Sequence, residues 1–139
     1  SLLRTAEICG VHGVILQDRN APDITPAVAQ FSSGATEHLL IAQVTNLVNV
    51  IKRLQQEHIW VAGMDIGEDA RQLGDLDLDM PLAVIVGHEG QGLRRLVRKN
   101  CDFLLRLPMR GKIESLNAAI AGSVLLYSTW QARGFPGAE

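Results

Sequence analysis

Short apolar runs alternate with amphipathic stretches along the whole chain. Leu2 to Cys9 predicts a helix, and Gly10 fits its left-handed C-terminal cap. Val11 to Leu16 follows as a β-rich run, and Asp18 to Pro26, with Asn20, Pro22, Asp23 and Pro26, predicts a loop. Ala27 to Ser33 fits a short helix ended by Gly34. Leu47, Val50, Ile51 and Leu54 recur at i, i+3, i+4 and i+7, one apolar helix face with Lys52, Arg53 and Gln56 outside it. Ile59 to Met64 and Leu82 to Val86 predict buried strands, and the acidic, polar stretch from Gly67 to Met80 a surface connection between them. Gly92 to Asn100 predicts a basic helix, Phe103 to Leu107 a further strand, and Ser115 to Arg133 the last and longest helix.

Strands that are apolar on both faces, alternating with helices, argue for an α/β fold with a parallel sheet covered on both sides. Ligands in such sheets bind beyond the carboxyl ends of the strands. Two loops stand there: Gly87-His88-Glu89-Gly90-Gln91-Gly92, and Pro108 to Glu114. The final helix is apolar nearly all round, from Leu116 through Ala118, Ala119, Ile120, Ala121, Val124, Leu125, Leu126 and Tyr127 to Trp130. Such a helix is buried on both sides, either centrally in one domain or against a second subunit. Gly122 and the alanines would permit close approach of another helix.

The 139 residues, 47% of them hydrophobic and 20% charged, suit one domain with a real core. No stretch approaches the roughly 20 apolar residues of a membrane span. Cys9 and Cys101 belong to no ligand pattern, which fits a reduced, cytoplasmic protein. The four histidines, His12, His38, His58 and His88, show no metal-ligand spacing, and no metal is expected. A formal net charge of −2 means that any nucleic-acid contact must be local. The start, Ser1-Leu2-Leu3-Arg4-Thr5, has no signal-peptide pattern and reads like the interior of a longer sequence, so upstream residues are expected.

The first loop spaces its glycines G-x-x-G-x-G after a strand, an order unlike the dinucleotide fingerprint G-x-G-x-x-G, so a nicotinamide-dependent dehydrogenase is a poor match. The tight turn alone would also explain glycines there. The second loop leads into Ser115-Leu116-Asn117, where Ser115 is a natural N-cap and the helix start an anion site. Arg94, Arg95, Arg98 and Lys99 form one basic cluster, and Arg106, Arg110 and Lys112 another. A charge run is usually a solvated face, but these two flank the ligand loops, which favours phosphate contact, with Arg94, Arg95, Arg110 and Lys112 as the candidate RNA-binding residues.

Together these residues resemble the SpoU/TrmH family of the SPOUT superfamily, RNA ribose 2′-O-methyltransferases. Leu3-Arg4-Thr5-Ala6 with Gly10-Val11 is similar to the end of motif one. Val84-Ile85-Val86-Gly87-His88-Glu89-Gly90-Gln91-Gly92-Leu93 is similar to motif two. Leu107-Pro108-Met109 through Ser115-Leu116-Asn117 to Leu126 is similar to motif three. The resemblance implies a deep C-terminal trefoil knot, against the usual rule that chains do not thread loops. It also implies a homodimer with its active site near the interface. S-adenosylmethionine (SAM) would be held by Gly87, Gly90, Leu107, Met109 and Leu116. Arg4 matches the arginine assigned to the ribose hydroxyl, and Glu89, Ser115 and Asn117 match the other catalytic polar positions. The motif-one asparagine, the first strand and any small N-terminal RNA-binding domain would fall upstream of residue 1.

The run from Met109 to Asn117 is most similar to members that methylate a guanosine ribose in 23S ribosomal RNA. A tRNA-modifying relative is the alternative, as is a non-catalytic SAM- or RNA-binding dimer of the same fold.

Overall fold

α1 (Leu2–Ile8) ends where Gly10 turns left-handed, with φ +72. The Gly10 N–H then returns to the Glu7 carbonyl and the Val11 N–H to that of Ala6, closing the helix end as the glycine predicts. The computed structural model describes residues 2–18, 25–26, 39–87, 92–112 and 116–139. Most of the expected 18–26 loop and all of the expected 27–33 helix lie outside the described residues.

The strand expected at Val11 to Leu16 is β1 (Gly13–Gln17). It pairs in parallel with β3 (Leu40–Val44), which also takes the two-residue β2 (Thr25–Pro26) antiparallel on its other edge. The pattern reading did not identify β3. The second sheet is parallel throughout, in the order β5 (Arg71–Gln72), β7 (Phe103–Arg106), β4 (Trp60–Met64), β6 (Leu82–Ile85). Its two central strands therefore end side by side, with the carboxyl end of β6 at the same edge.

Helices cover both faces of this sheet, and the alternation along β4 divides the core. Val61 points to a cluster with Ile51 of α2 (Leu47–Gln56) and Val97 of α3 (Arg95–Asn100). Ala62 points the other way, to Leu78, Leu105 and Leu125 of α4 (Ala118–Ala132). The predicted face of α2 holds at Ile51, fully buried, and at Leu47 and Leu54, packed beside it, while Val48 rather than Val50 joins them. Asn46 caps this helix by accepting from the Asn49 N–H at 3.2 Å.

Three expectations are corrected. The 67–80 connection is not merely a surface loop. Ala70 and Leu78 are buried, Leu73, Leu76 and Met80 pack on the core, and Arg71–Gln72 joins the sheet edge. Its acidic residues alternate with apolar ones that cover the α4 side of the sheet. Arg133, just past α4, fixes this segment by donating to the Leu78 carbonyl at 3.1 Å and the Met80 carbonyl at 2.6 Å.

The basic helix begins at Arg95 rather than Gly92, because Gly92 is left-handed (φ +65) and Arg94 is extended. The last helix begins at Ala118, not Ser115. Its cap is Asn117, whose side chain accepts from Ala119 N–H (2.9 Å) and Ile120 N–H (3.2 Å). No helix among the described residues is long and apolar enough to cross a membrane.

Candidate functional site

Parallel pairing of β4 with both β6 and β7 brings three loop entrances to one edge of the sheet: Asp65-Ile66 after β4, Val86-Gly87 after β6, and Leu107-Pro108-Met109 after β7. This is the edge at which α/β sheets bind ligands. A cavity of about 120 Å³ opens there, lined by Ile66, Gln72, Arg106, Leu107, Pro108 and Met109. Two of the expected cofactor residues, Leu107 and Met109, are thus brought together.

Gly87 shapes the edge differently. A Cβ on it would fall 2.5 Å from the carbonyl carbon and oxygen of Gly92 and 2.9 Å from the Leu93 nitrogen. Glycine is required because the loop closes backbone against backbone. Leu116 is half-exposed just before α4, and Asn117 is occupied in capping that helix. Glu89, Gly90 and Ser115 lie outside the described residues, as does His88.

Arg4 sits exposed on α1 and does not line the cavity. α1 is held on α4. The Ser123 hydroxyl bonds that of Thr5 at 2.9 Å, and Leu2 lies so near Gly122 that a Cβ there would meet its methyl group at 3.0 Å. The close helix approach expected of Gly122 is made to α1 of the same chain.

The basic clusters separate into distinct roles. Arg94, Arg95, Arg110 and Lys112 are exposed and face solvent. Arg98, by contrast, is committed: its Nε donates to Asp65 at 2.5 Å and its Nη2 to Asp69 at 2.6 and 2.8 Å. Burial pushes the Asp65 carboxyl up, but the Arg98 hydrogen bond, backbone N–H groups of Ile66 and Gly67 and the guanidinium charge outweigh it, leaving Asp65 below the ordinary carboxylate range. Sequence spacing could not find this pair, because 33 residues separate Arg98 from Asp65.

Arg106, which the sequence groups with Arg110 and Lys112 beside the second loop, lines the cavity, and its Nε is buried with no hydrogen-bond partner among the described residues.

A family model described as the SpoU rRNA Methylase family matches residues 1–127. YacO of Bacillus subtilis, assigned to TrmH family tRNA/rRNA methyltransferases, is 44% identical over 135 residues, covering 96% of this chain and 53% of YacO. The chain spans about half the length of the curated relatives it matches. Among solved structures, the SpoU methyltransferase AviRb from Streptomyces viridochromogenes superimposes with TM-score 0.80 at 28% identity, over 96% of this chain and 54% of that one. The same protein in complex with the cofactor AdoMet gives TM-score 0.75 at 24% identity, over 96% and 55%. A structure described as an RNA 2′-O ribose methyltransferase gives TM-score 0.73 at 26% identity, over 95% of this chain and 50% of that one.

Proposed function

Because the chain belongs to the SpoU rRNA methylase family, we propose that it is the SAM-dependent catalytic part of an RNA methyltransferase. It methylates a ribose 2′-hydroxyl, that of a guanosine in 23S ribosomal RNA, and works in the cytoplasm as a knotted homodimer. The observation that carries this reading is the convergence of Gly87 and the Leu107-Pro108-Met109 turn on one edge of the parallel sheet. The two motifs are separated in sequence, and the β6-β4-β7 order is what brings them to the same edge, on either side of β4. The likeness to an RNA 2′-O ribose methyltransferase supports the ribose target.

The residues fit the cofactor. Leu107, Pro108 and Met109 offer apolar walls, and Arg106 offers a buried donor that the described residues leave unused. In this reading Gly87, Gly90 and Leu116 are the further cofactor contacts. When bound, SAM supplies an electrophilic methyl group on a sulfonium.

What remains for the chain is positioning and charge. Bringing the 2′-oxygen into line with the methyl group lowers the barrier mainly by removing orientational freedom. An arginine is a poor base, so the role of Arg4 is to orient the ribose hydroxyl and an adjacent phosphate and to stabilise the developing alkoxide, whose proton leaves to solvent water. Glu89, Ser115 and Asn117 orient Arg4 and the ribose. Arg4 does not line the cavity of its own chain, which supports a site shared across the dimer interface. The exposed Arg94, Arg95, Arg110 and Lys112 contact the RNA backbone.

The test is calorimetric titration with SAM and with NAD, followed by transfer of labelled methyl groups to 23S ribosomal RNA and to tRNA transcripts. Nuclease digestion and mass spectrometry then identify the product nucleoside. The reading expects one SAM site per chain, no NAD binding, and 2′-O-methylguanosine from the ribosomal RNA. Label in a base would reject the ribose target, and label in tRNA alone would reject the ribosomal one. Arg4→Ala should abolish transfer with SAM affinity nearly intact; equal loss of both would refute its role.

A further inference from the structure

Arg106 is the last residue of β7, and its backbone is fixed to the β5 strand and the residue after it. It lies opposite Gln72 of β5, and its carbonyl accepts from the Leu73 N–H at 2.8 Å. The side chain is therefore held at the cavity wall by the sheet rather than by a loop. Its neighbours there are Ile66, Leu107, Pro108 and Met109, with the Gln72 amide the one other polar side chain in the lining among the described residues.

The Nε–H of Arg106 is buried and has no partner among the described residues. A donor left unmade in a buried position costs more than a made bond returns, and on a guanidinium the cost is greater. The carboxylate at the end of β4, one residue before Ile66, cannot serve, because Asp65 is taken by Arg98. The described salt bridges of this edge are both made by Arg98, to Asp65 and Asp69. Among the described residues, the cavity thus presents a cation with an unused planar donor and no anion.

We propose that Arg106 anchors the carboxylate at the methionine end of SAM; this rests on the cofactor reading above. Of the groups that cofactor carries, the carboxylate alone is anionic. Adenine and ribose are neutral, and the ammonium and sulfonium are repelled by a guanidinium. A planar guanidinium matches a carboxylate in geometry as well as charge. A cavity of about 120 Å³ holds several water-sized groups, enough for an amino-acid end and not for a nucleoside. With the carboxylate held at Arg106, the sulfonium is kept away from this wall. Arg106 is thereby a positioning residue for the methyl group.

The experiment compares three ligands by calorimetry: SAM, S-adenosylhomocysteine, and 5′-methylthioadenosine, which lacks the amino-acid end. Each is titrated into the unaltered chain, Arg106→Gln and Arg106→Lys. Loss of a charge-assisted hydrogen bond predicts that Arg106→Gln weakens the first two by about ten-fold to a hundred-fold. Affinity for 5′-methylthioadenosine should be unchanged, which also shows that the variant is folded. Arg106→Lys keeps the charge without the fork and should fall between. Equal weakening of all three ligands would overturn the proposal, giving Arg106 a role in pocket shape only. Unchanged SAM affinity with weakened RNA binding would overturn it in favour of a phosphate contact. An unaltered chain that bound none of the three would instead overturn the cofactor reading itself, and the role of Arg106 with it.

Discussion

The backbone of Gly92 lies against Gly87 so closely that a Cβ on Gly87 would stand 2.5 Å from the Gly92 carbonyl. The obstruction is main chain, so no rotamer change relieves it. Gly87→Ala should cost about 1–3 kcal/mol, as overpacking does, and should weaken SAM binding by displacing the loop. Gly92→Ala meets nothing within 4 Å and carries only the strain of φ +65, about 1 kcal/mol. Denaturant unfolding of both variants checks the ranking, and the reverse order would show that the loop ends separate freely.

The Arg98 clamp makes a pH prediction. Asp65 is held below the ordinary carboxylate value of 3.8, the hydrogen bonds and charge winning over its burial. A carboxyl with a depressed folded-state pKa contributes stability above its unfolded pKa and loses it as pH falls through the folded one. Stability should therefore decline as pH drops below about 4. Arg98→Gln should flatten that decline and lower the melting temperature at neutral pH, since Gly67 and Asp69 lose the side chain that closes over them. Melting curves from pH 7 down to acid decide it. An unchanged slope in the variant would mean that other carboxylates carry the acid sensitivity.

Much of this arrangement was legible in the residues, because period and punctuation act locally. The α2 face, the Gly10 cap and four strands follow from them. β3 was not, since Leu39 to Val44 is too short an apolar run for periodicity to separate strand from helix. The 67–80 segment was misread because its acidic residues dominate composition, whereas Ala70 and Leu78 decide its place. The α4 start was displaced because Ser115 and Asn117 are both good caps, and the observed bonds go to Asn117. Of the site, motif residues could be named, but not the isolation of Arg106 Nε or the capture of Arg98. Both depend on strand order, which spacing does not carry.

Cys101 should be inert in the native protein. Burial, and secondly the adjacent Asp102 charge, push its thiol up to about 11 from 9.0, and its Sγ lies 3.2 Å from the Val97 carbonyl. The neutral thiol is favoured by folding, so this contribution is complete below about pH 9 and is lost as pH rises through the folded value. Thiol reagents at pH 8 should modify Cys101 only as fast as the chain opens. Cys101→Ala should remove part of the alkaline destabilisation. Rapid native modification would contradict the burial.

The final prediction concerns α4. One side of the helix is internal, with Gly122 buried against Leu2 and Leu125 fully buried in the core. The other leaves Ile120 at 56%, Val124 at 42% and Tyr127 at 45% exposed, continuing from Leu116 at 47%. These are i, i+4 and i+7 along one face, and polar residues do not interrupt it. A contiguous apolar stripe on a short chain is unfavourable in water unless covered, and the proposed homodimer would cover it with a second copy. Light scattering should then give a mass near twice 15.1 kDa. Ile120→Glu, and separately Val124→Glu, would place a charge in that contact and should shift the chain to monomer, with the far-ultraviolet circular dichroism retained because neither residue enters the core. Since Arg4 sits on α1, which is bonded to α4 through Thr5 and Ser123, the same variants should lose methyl transfer while keeping SAM binding. A chain already monomeric at high concentration, or a dimer that tolerates both glutamates, would place the interface elsewhere.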